Sequence, residues 1–193
     1  MSAATPIPAG ATTKWCLAES RAAASLRLSR LISSLQLRAL TAADSDAVHA
    51  LYASTRADEA AHFPLPPAQR EAFLRMQSQA QQAHHARHYP GAALDAVLLD
   101  GQMIGRLCVW RRPGEIRLMD ISLLPAFRGA GLGTRLLEAL IGEAVQTSSV
   151  LTLHVHSDSR ARAWYRRMGL SEGPDDGASM AMSLAMKTAH AAS

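Results

Sequence analysis

From residue 35 onward, the apolar and polar positions of this chain change period at recognisable points. Leu35-Gln-Leu-Arg-Ala-Leu40 alternates and predicts a first strand. Thr41-Ala-Ala-Asp44 has the form of a capping box, and a helix is expected to run from it to about Arg56, burying Val48, Leu51 and Tyr52. Pro64, Pro66 and Pro67 break the chain, and a second helix carrying Phe73 and Met76 should start there and fray through the polar stretch 79–88. A meander follows. Leu94–Leu99 and Met103–Trp110 are strands joined at Asp100-Gly101, a strong hairpin signal. Arg111-Arg112-Pro113-Gly114 is a second turn, and Ile116–Leu124 a third strand. Leu132, Leu136, Leu140 and Ala144, with Leu137, Ile141 and Val145 beside them, form a helical stripe. Val150–His156 alternates again, with Leu151, Leu153 and Val155 on one face. A short helix is expected over about Ser159–Met168, with Ala161, Trp164, Tyr165 and Met168 on one stripe and Gly169 as its C′ residue before Leu170. Ser171–Gly177 reads as a turn, and Met180, Met182, Leu184 and Met186 alternate as a last strand. Strands and helices interleave, so the expected class is α/β (α+β) in one domain.

Composition adds three points. First, 48% hydrophobic and 19% charged residues are globular proportions, and no apolar run approaches the ~18–20 residues of a membrane span. Second, the net charge of +4 is concentrated at the start of the chain, where Lys14, Arg21, Arg27 and Arg30 face only Glu19. The remainder is nearly neutral, which is no footprint for nucleic acid. Residues 1–34 therefore read as a flexible extension, a targeting segment or a start assigned too far upstream, and 189–193 as a disordered tail; the domain is expected over 35–188. Third, Cys16 and Cys108 provide no disulfide framework; Cys108 lies in an apolar run and suits a core, and a reducing cytoplasm is the simplest compartment. His84, His85 and His88 share helical spacing, but no local carboxylate or cysteine accompanies them, so they read as a solvated helix end and no metal site is expected.

The chemistry is concentrated between the third strand and the main helix. Arg128-Gly129-Ala130-Gly131-Leu132-Gly133 is a glycine turn between a strand and a helix, a way to aim bare N–H groups at an anion. It fits neither G-x-G-x-x-G nor G-x-x-x-x-G-K-S/T. What fits is Arg-x-x-Gly-x-Gly after a strand ending in Leu-x-Pro, which resembles the acyl-CoA-binding motif of the GNAT superfamily of N-acetyltransferases. Trp164-Tyr165-Arg166-Arg167-Met168-Gly169-Leu170 is similar to that family's L-Y-x-x-x-G-F element, about 30 residues further on. The resemblance covers about Leu35 to Lys187.

The resemblance implies the GNAT fold: a mixed central sheet splayed between the two strands flanking the main helix, with helices on both faces. It implies acetyl-CoA as co-substrate, an amine acceptor, and no metal. A homodimer is left open, and neither nucleic acid nor a membrane is expected as a partner. Ile121, Ser122 and Leu123 would hold the pantetheine arm and acetyl carbonyl. Gly129, Ala130, Gly131, Leu132, Gly133 and Thr134 would bind the diphosphate through their amides, with Arg128 either adding charge or merely facing solvent. Tyr165 would serve the departing sulfur as general acid. Where the family commonly has an asparagine, this chain has Ser157-Asp158-Ser159; Ser159 is a candidate coenzyme contact and also a natural N-cap. For the base, His154 stands where a branch of the family, the ribosomal-protein alanine acetyltransferases, carries a glutamate, and imidazole is suited to relaying protons at neutral pH. Asp120 is its rival, though an aspartate carboxylate is ordinarily a weak base. Ordered water, or a purely structural role for both side chains, are the other readings. The expected function is acetyl transfer to a primary amine of a small molecule or peptide, with a protein N-terminus or lysine as a further acceptor class and a non-catalytic acyl-CoA-binding module as the alternative.

Overall fold

In the computed structural model, residues 35–177 and 179–184 are described. The expected N-terminal extension, the tail and Met186 lie outside them. Seven strands form one sheet in the order β1-β2-β3-β4-β5-β7-β6. They are β1 (Leu35–Ala39), β2 (Ala93–Leu99), β3 (Gln102–Arg112), β4 (Glu115–Leu123), β5 (Val150–His156), β6 (Ser171–Asp175) and β7 (Ser179–Leu184). The main helices are α1 (Ser45–Thr55), α2 (Pro67–His88), α3 (Leu132–Gln146) and α4 (Ala161–Arg167), with a single turn at Ala57–Ala60 between α1 and α2.

Local chemistry accounts for most boundaries. The Thr41 N–H donates to Asp44 Oδ2 at 2.7 Å, and Arg38 grips both oxygens of that carboxylate at 2.8 and 2.9 Å. Asp100 and Gly101 both have positive φ, 50° and 80°, as a two-residue type I′ turn requires. The second hairpin is tighter than the expected four-residue turn, because Arg112 pairs with Glu115 and leaves only Pro113-Gly114 in the loop. At the end of α4, Gly169 N–H donates to Arg166 O and Leu170 N–H to Tyr165 O, the two bonds of a Schellman motif, with Gly169 at φ 93°.

Two expectations fail at the surface. The stretch expected as a turn, Ser171–Gly177, contains β6, an edge strand with every residue exposed. It has no buried face, so it carries no alternation, and its ladder breaks between Glu172 and Asp175, where Pro174 is tolerated. The helix α2 continues intact through His88; it buries Leu74, Ser78 and His85, whereas Met76 is exposed. On α3, Val145 is likewise exposed, while Leu132, Leu136, Leu137, Leu140 and Ala144 are buried.

Side-chain bonds from β3 show that helices cover both faces. Arg106 reaches Gln81 on α2, while Arg111 reaches Glu143 on α3. Residues an odd number apart on a strand point to opposite faces. The α1–α2 layer therefore covers one face, with Cys108 buried beneath it, and α3 with α4 covers the other. Burial pushes the Cys108 thiol up to about 12, as expected of an inert core residue.

Candidate active site

The site lies where β4 and β5 part. They pair in parallel only from Glu115↔Val150 to Leu118↔Leu153. On its other edge β4 pairs with β3, but the register shifts: Val109 faces Leu118 and Cys108 faces Asp120, so Met119 is an extra residue. A bulge bends its strand. Beyond it, among the described residues, the β5-facing edge of β4 from Met119 to Leu123 has no ladder partner, and neither has the facing edge of β5 from His154 to His156.

Below this opening, the chain leaves β4 through the 3-10 turn Pro125–Phe127 and enters α3 through the glycine loop. Gly129 (φ 76°) and Gly131 (φ 78°) are left-handed, with open space where a Cβ would stand. Only glycine adopts this conformation without strain. Among the described residues, no acceptor is within reach of the N–H groups of Gly129 to Thr134; the first helical bond is Arg135 N–H to Gly131 O at 3.1 Å. Six successive donors therefore open at the N-terminus of a 15-residue helix, where the dipole favours negative charge. They border a cleft of about 600 Å³ lined by Ile121, Ser122, Leu123, Arg128, Gly129, Gly131, Gly133, Thr134 and Ser159.

Arg128 is no free surface cation: its Nε donates to Leu123 O at 2.7 Å and its Nη2 lies 3.4 Å from Ser54 O, tying the loop to the end of α1. The N-cap of α4 is Arg160 and not Ser159, whose Oγ accepts the Ala161 N–H at 3.2 Å from one residue earlier and which also lines the cleft. Three lining residues escaped the sequence reading. Thr55, at the end of α1, and Ala161 carry no local signal. Trp164 does have one, since an indole N–H needs a partner: it is half-exposed and donates to Thr134 Oγ1 at 3.2 Å. On β3, Gly105 was also missed; a Cβ there would lie 2.4 Å from Ser122 O, so β4 can pass only over a bare backbone.

The three candidate catalytic residues come from both faces of the sheet. Tyr165 comes from α4, on the α3 side, and is 7% exposed. Its hydroxyl has no hydrogen-bond partner among the described residues. Burial raises its pKa above the ordinary phenol value, and the charge of Asp120 raises it further. Asp120 lies on the α1–α2 face, where Arg106 Nε donates to Oδ2 at 2.7 Å and Ser122 Oγ to Oδ1 at 2.8 Å. His154 is exposed on that same face, and its Nδ1 accepts from Arg117 Nη2 at 2.7 Å, which puts the proton of the neutral ring on Nε2. His85, expected to be solvated, is buried near Arg106 and Asp120 instead. Burial and the Arg106 charge hold its pKa below the usual imidazole value, with Asp120 partly opposing. Among the described residues, no group of three or more His, Cys, Asp or Glu could hold a metal, and no helix is long and apolar enough to cross a membrane.

A mixed sheet opened at a bulge, with bare amides of a helix N-terminus beneath the opening, defines an acyl-CoA N-acyltransferase fold. The chain belongs to the Acetyltransferase (GNAT) family, whose sequence profile matches residues 48–170. Among solved structures it is similar to the PaiA N-acetyltransferase of Thermoplasma acidophilum in complex with coenzyme A, at TM-score 0.61 and 16% identity over 79% of this chain and 99% of that one. It is also similar to an acetyltransferase of Thermus thermophilus, at TM-score 0.59 and 17% identity over 79% and 97%. A ribosomal-protein-alanine N-acetyltransferase of Escherichia coli matches at TM-score 0.52 and 19% identity over 81% and 97%. At these identities the likeness is one of fold.

Proposed function

We propose that this chain is an acetyl-CoA-dependent N-acetyltransferase that moves the acetyl group to a primary amine by direct attack. The observation that carries this reading is the run of six unpartnered amides, Gly129 to Thr134, in a cleft that reaches the open edge of β4. These donors suit a diphosphate, and no side-chain cation is needed to hold one. The unpaired backbone between Met119 and Leu123 suits an extended pantetheine arm, adding to the sheet edge as a strand would, and polarises the thioester carbonyl. The complex of the Thermoplasma protein with coenzyme A, on the same fold, supports the choice of ligand.

Tyr165 donates its O–H to the departing sulfur. Its pKa is raised above that of a thiol, so it stabilises the thiolate as a hydrogen-bond donor and does not surrender its proton outright. Neither candidate base is free: Asp120 already accepts from Arg106 and Ser122, and the Nδ1 lone pair of His154 is taken by Arg117. The amine proton therefore leaves through water in the splay.

Two measurements test the proposal. Acetyl-CoA should raise the Tm of the full chain, and thiol should be released when an amine is added. No Tm shift at millimolar acetyl-CoA would sink the proposal. A shift without thiol release across a broad amine panel would leave an acyl-CoA-binding module.

A further inference from the structure

The face opposite the glycine loop holds a second, smaller recess of about 220 Å³ at the mouth of the splay. It is lined by His84, His85 and Tyr89 from the end of α2, by Arg117 and Met119 from β4, and by His154 from β5. An amine entering here meets the splay from the side away from the coenzyme cleft. The recess is below the ~300–1,000 Å³ typical of drug-sized ligands, so it suits a compact acceptor.

Its lining is basic. Arg117 is the permanent charge, three imidazoles surround it, and no carboxylate lines the wall. The nearest acids are already engaged. Asp120 is held by Arg106, and Glu115 accepts from Thr152 at 2.6 Å and from Arg112 Nε at 2.7 Å. Arg117 Nη1 also forms an ion pair with Glu115 Oε1 at 3.8 Å, too long for a hydrogen bond, so Glu115 offsets part of its charge without using its donors. Among the described residues, its five N–H donors make one hydrogen bond, to His154. The guanidinium lies over the Tyr89 ring at 5.6 Å, which holds its plane in place while leaving donors free. A fixed guanidinium with unused donors is the usual partner of a carboxylate.

We infer that the acceptor is a small amine that also carries a carboxylate, of amino-acid size, and that Arg117 is the residue that selects it. This rests on the acetyltransferase reading above and narrows its acceptor. Polyamines and other polycations would bring like charge against Arg117 and against any imidazole that protonates.

The test pairs amino acids with their own amides and adds a diamine and a polyamine, with thiol release giving kcat/KM. Amino acids should exceed their amides and the polyamine by about tenfold or more, the scale of one hydrogen-bonded charge pair. Arg117→Ala should bring amino acids down to the level of the amides, chiefly through KM, and Arg117→Lys should keep part of the preference. Both variants should retain the acetyl-CoA Tm shift. Amides or polyamines used as well as amino acids would overturn the inference. So would an unchanged preference in Arg117→Ala, or no transfer to any panel member while acetyl-CoA still raises Tm. Loss of that Tm shift in the wild-type chain is a different failure, since it would remove the coenzyme site on which the inference stands.

Discussion

Replacing Gly131 by aspartate puts a carboxylate into the fan of open amides. Gly131 has φ 78° and no heavy atom within 4 Å of the Cβ position, so the side chain fits sterically but strains the backbone. A left-handed non-glycine residue costs about 1–2 kcal/mol. The effect on the ligand is larger. Two unit charges ~5 Å apart repel by about 1–3 kcal/mol across effective dielectric constants of ~80 to ~20. A diphosphate presents two such charges, giving about 2–6 kcal/mol. Even the lower figure raises Kd about 30-fold. At a concentration of about 100 Kd, acetyl-CoA stabilises the wild-type fold by about 2.7 kcal/mol, roughly 5–11 °C in Tm for a domain of this size. In the variant the same concentration leaves about 0.9 kcal/mol, roughly 2–3 °C, and nothing at the upper figure. Gly101→Asp is the control. Its φ is 80° and its Cβ position is equally open, but it sits in the β2–β3 hairpin away from the cleft. It should lose comparable stability and keep the full acetyl-CoA shift. Differential scanning fluorimetry with and without ligand reads both. A Gly131→Asp protein that keeps the wild-type shift would show that no phosphate rests on these amides.

Other perturbations separate chemistry from scaffold. Tyr165→Phe should lower kcat about 100-fold, the usual cost of one donor to a developing anion, while acetyl-CoA still raises Tm; an unchanged kcat would remove Tyr165 from the mechanism. Gly105→Ala forces a Cβ to within 2.4 Å of Ser122 O, so stability should fall by about 1–3 kcal/mol of overpacking or more and Tm with it, with part of the acetyl-CoA shift lost as β4 moves; a wild-type Tm would contradict the close strand approach. His85 is buried with its pKa depressed, so the unfolded chain takes up its proton first as pH falls. Its contribution to stability is thus complete above the unfolded value near 6.5 and is lost as pH falls through the folded one. His85→Gln should therefore flatten the decline of Tm between pH 7 and pH 5, and identical slopes would place that decline elsewhere. Removing residues 1–33 should leave both the fold and the acetyl-CoA shift intact, as circular dichroism and fluorimetry would show.

Where one short-range interaction settles a structure, the amino-acid sequence displays it. The type I′ turn at Asp100-Gly101, the Schellman end at Gly169-Leu170 and the strand Val150–His156 all fall where local chemistry places them. The glycine loop was legible for the same reason, since Gly129 and Gly131 occupy φ values that few other residues accept. Edges and interfaces were not legible. The β6 strand exists because β7 offers it a ladder, and its own residues, with Gly173 and Pro174 among them, argue for a turn. His85 looked like its neighbours His84 and His88, but its position on α2 turns it inward toward Arg106. Thr55 belongs to the cleft, and Gly105 lies against the cleft-lining part of β4, only because distant segments bring them there. The three catalytic candidates were readable as residue types, but not the partners that occupy two of them, Arg106 and Arg117.

Met119 shows how one residue of excess length organises the whole site. With an unbroken ladder, Cys108 would face Met119 and Leu107 would face Asp120. A register change of one residue exchanges the faces of a strand. Asp120 would then point toward α3, away from Arg106, leaving a guanidinium that is 5% exposed without its carboxylate. Breaking such a pair costs about 3–5 kcal/mol. Ile121 and Leu123 would turn away from Gly133 and the loop, emptying one wall of the cleft. The inserted residue therefore does three things at once. It returns Asp120 to the Arg106 face, it turns Ile121 and Leu123 toward the glycine loop, and it carries β4 away from β5 so that the two faces communicate. Strong pairing on both sides, Arg111↔Ile116 before the bulge and Leu107↔Ile121 after it, holds the extra residue at this point of the strand. The opening is thus a consequence of strand register, fixed by the core before any ligand arrives.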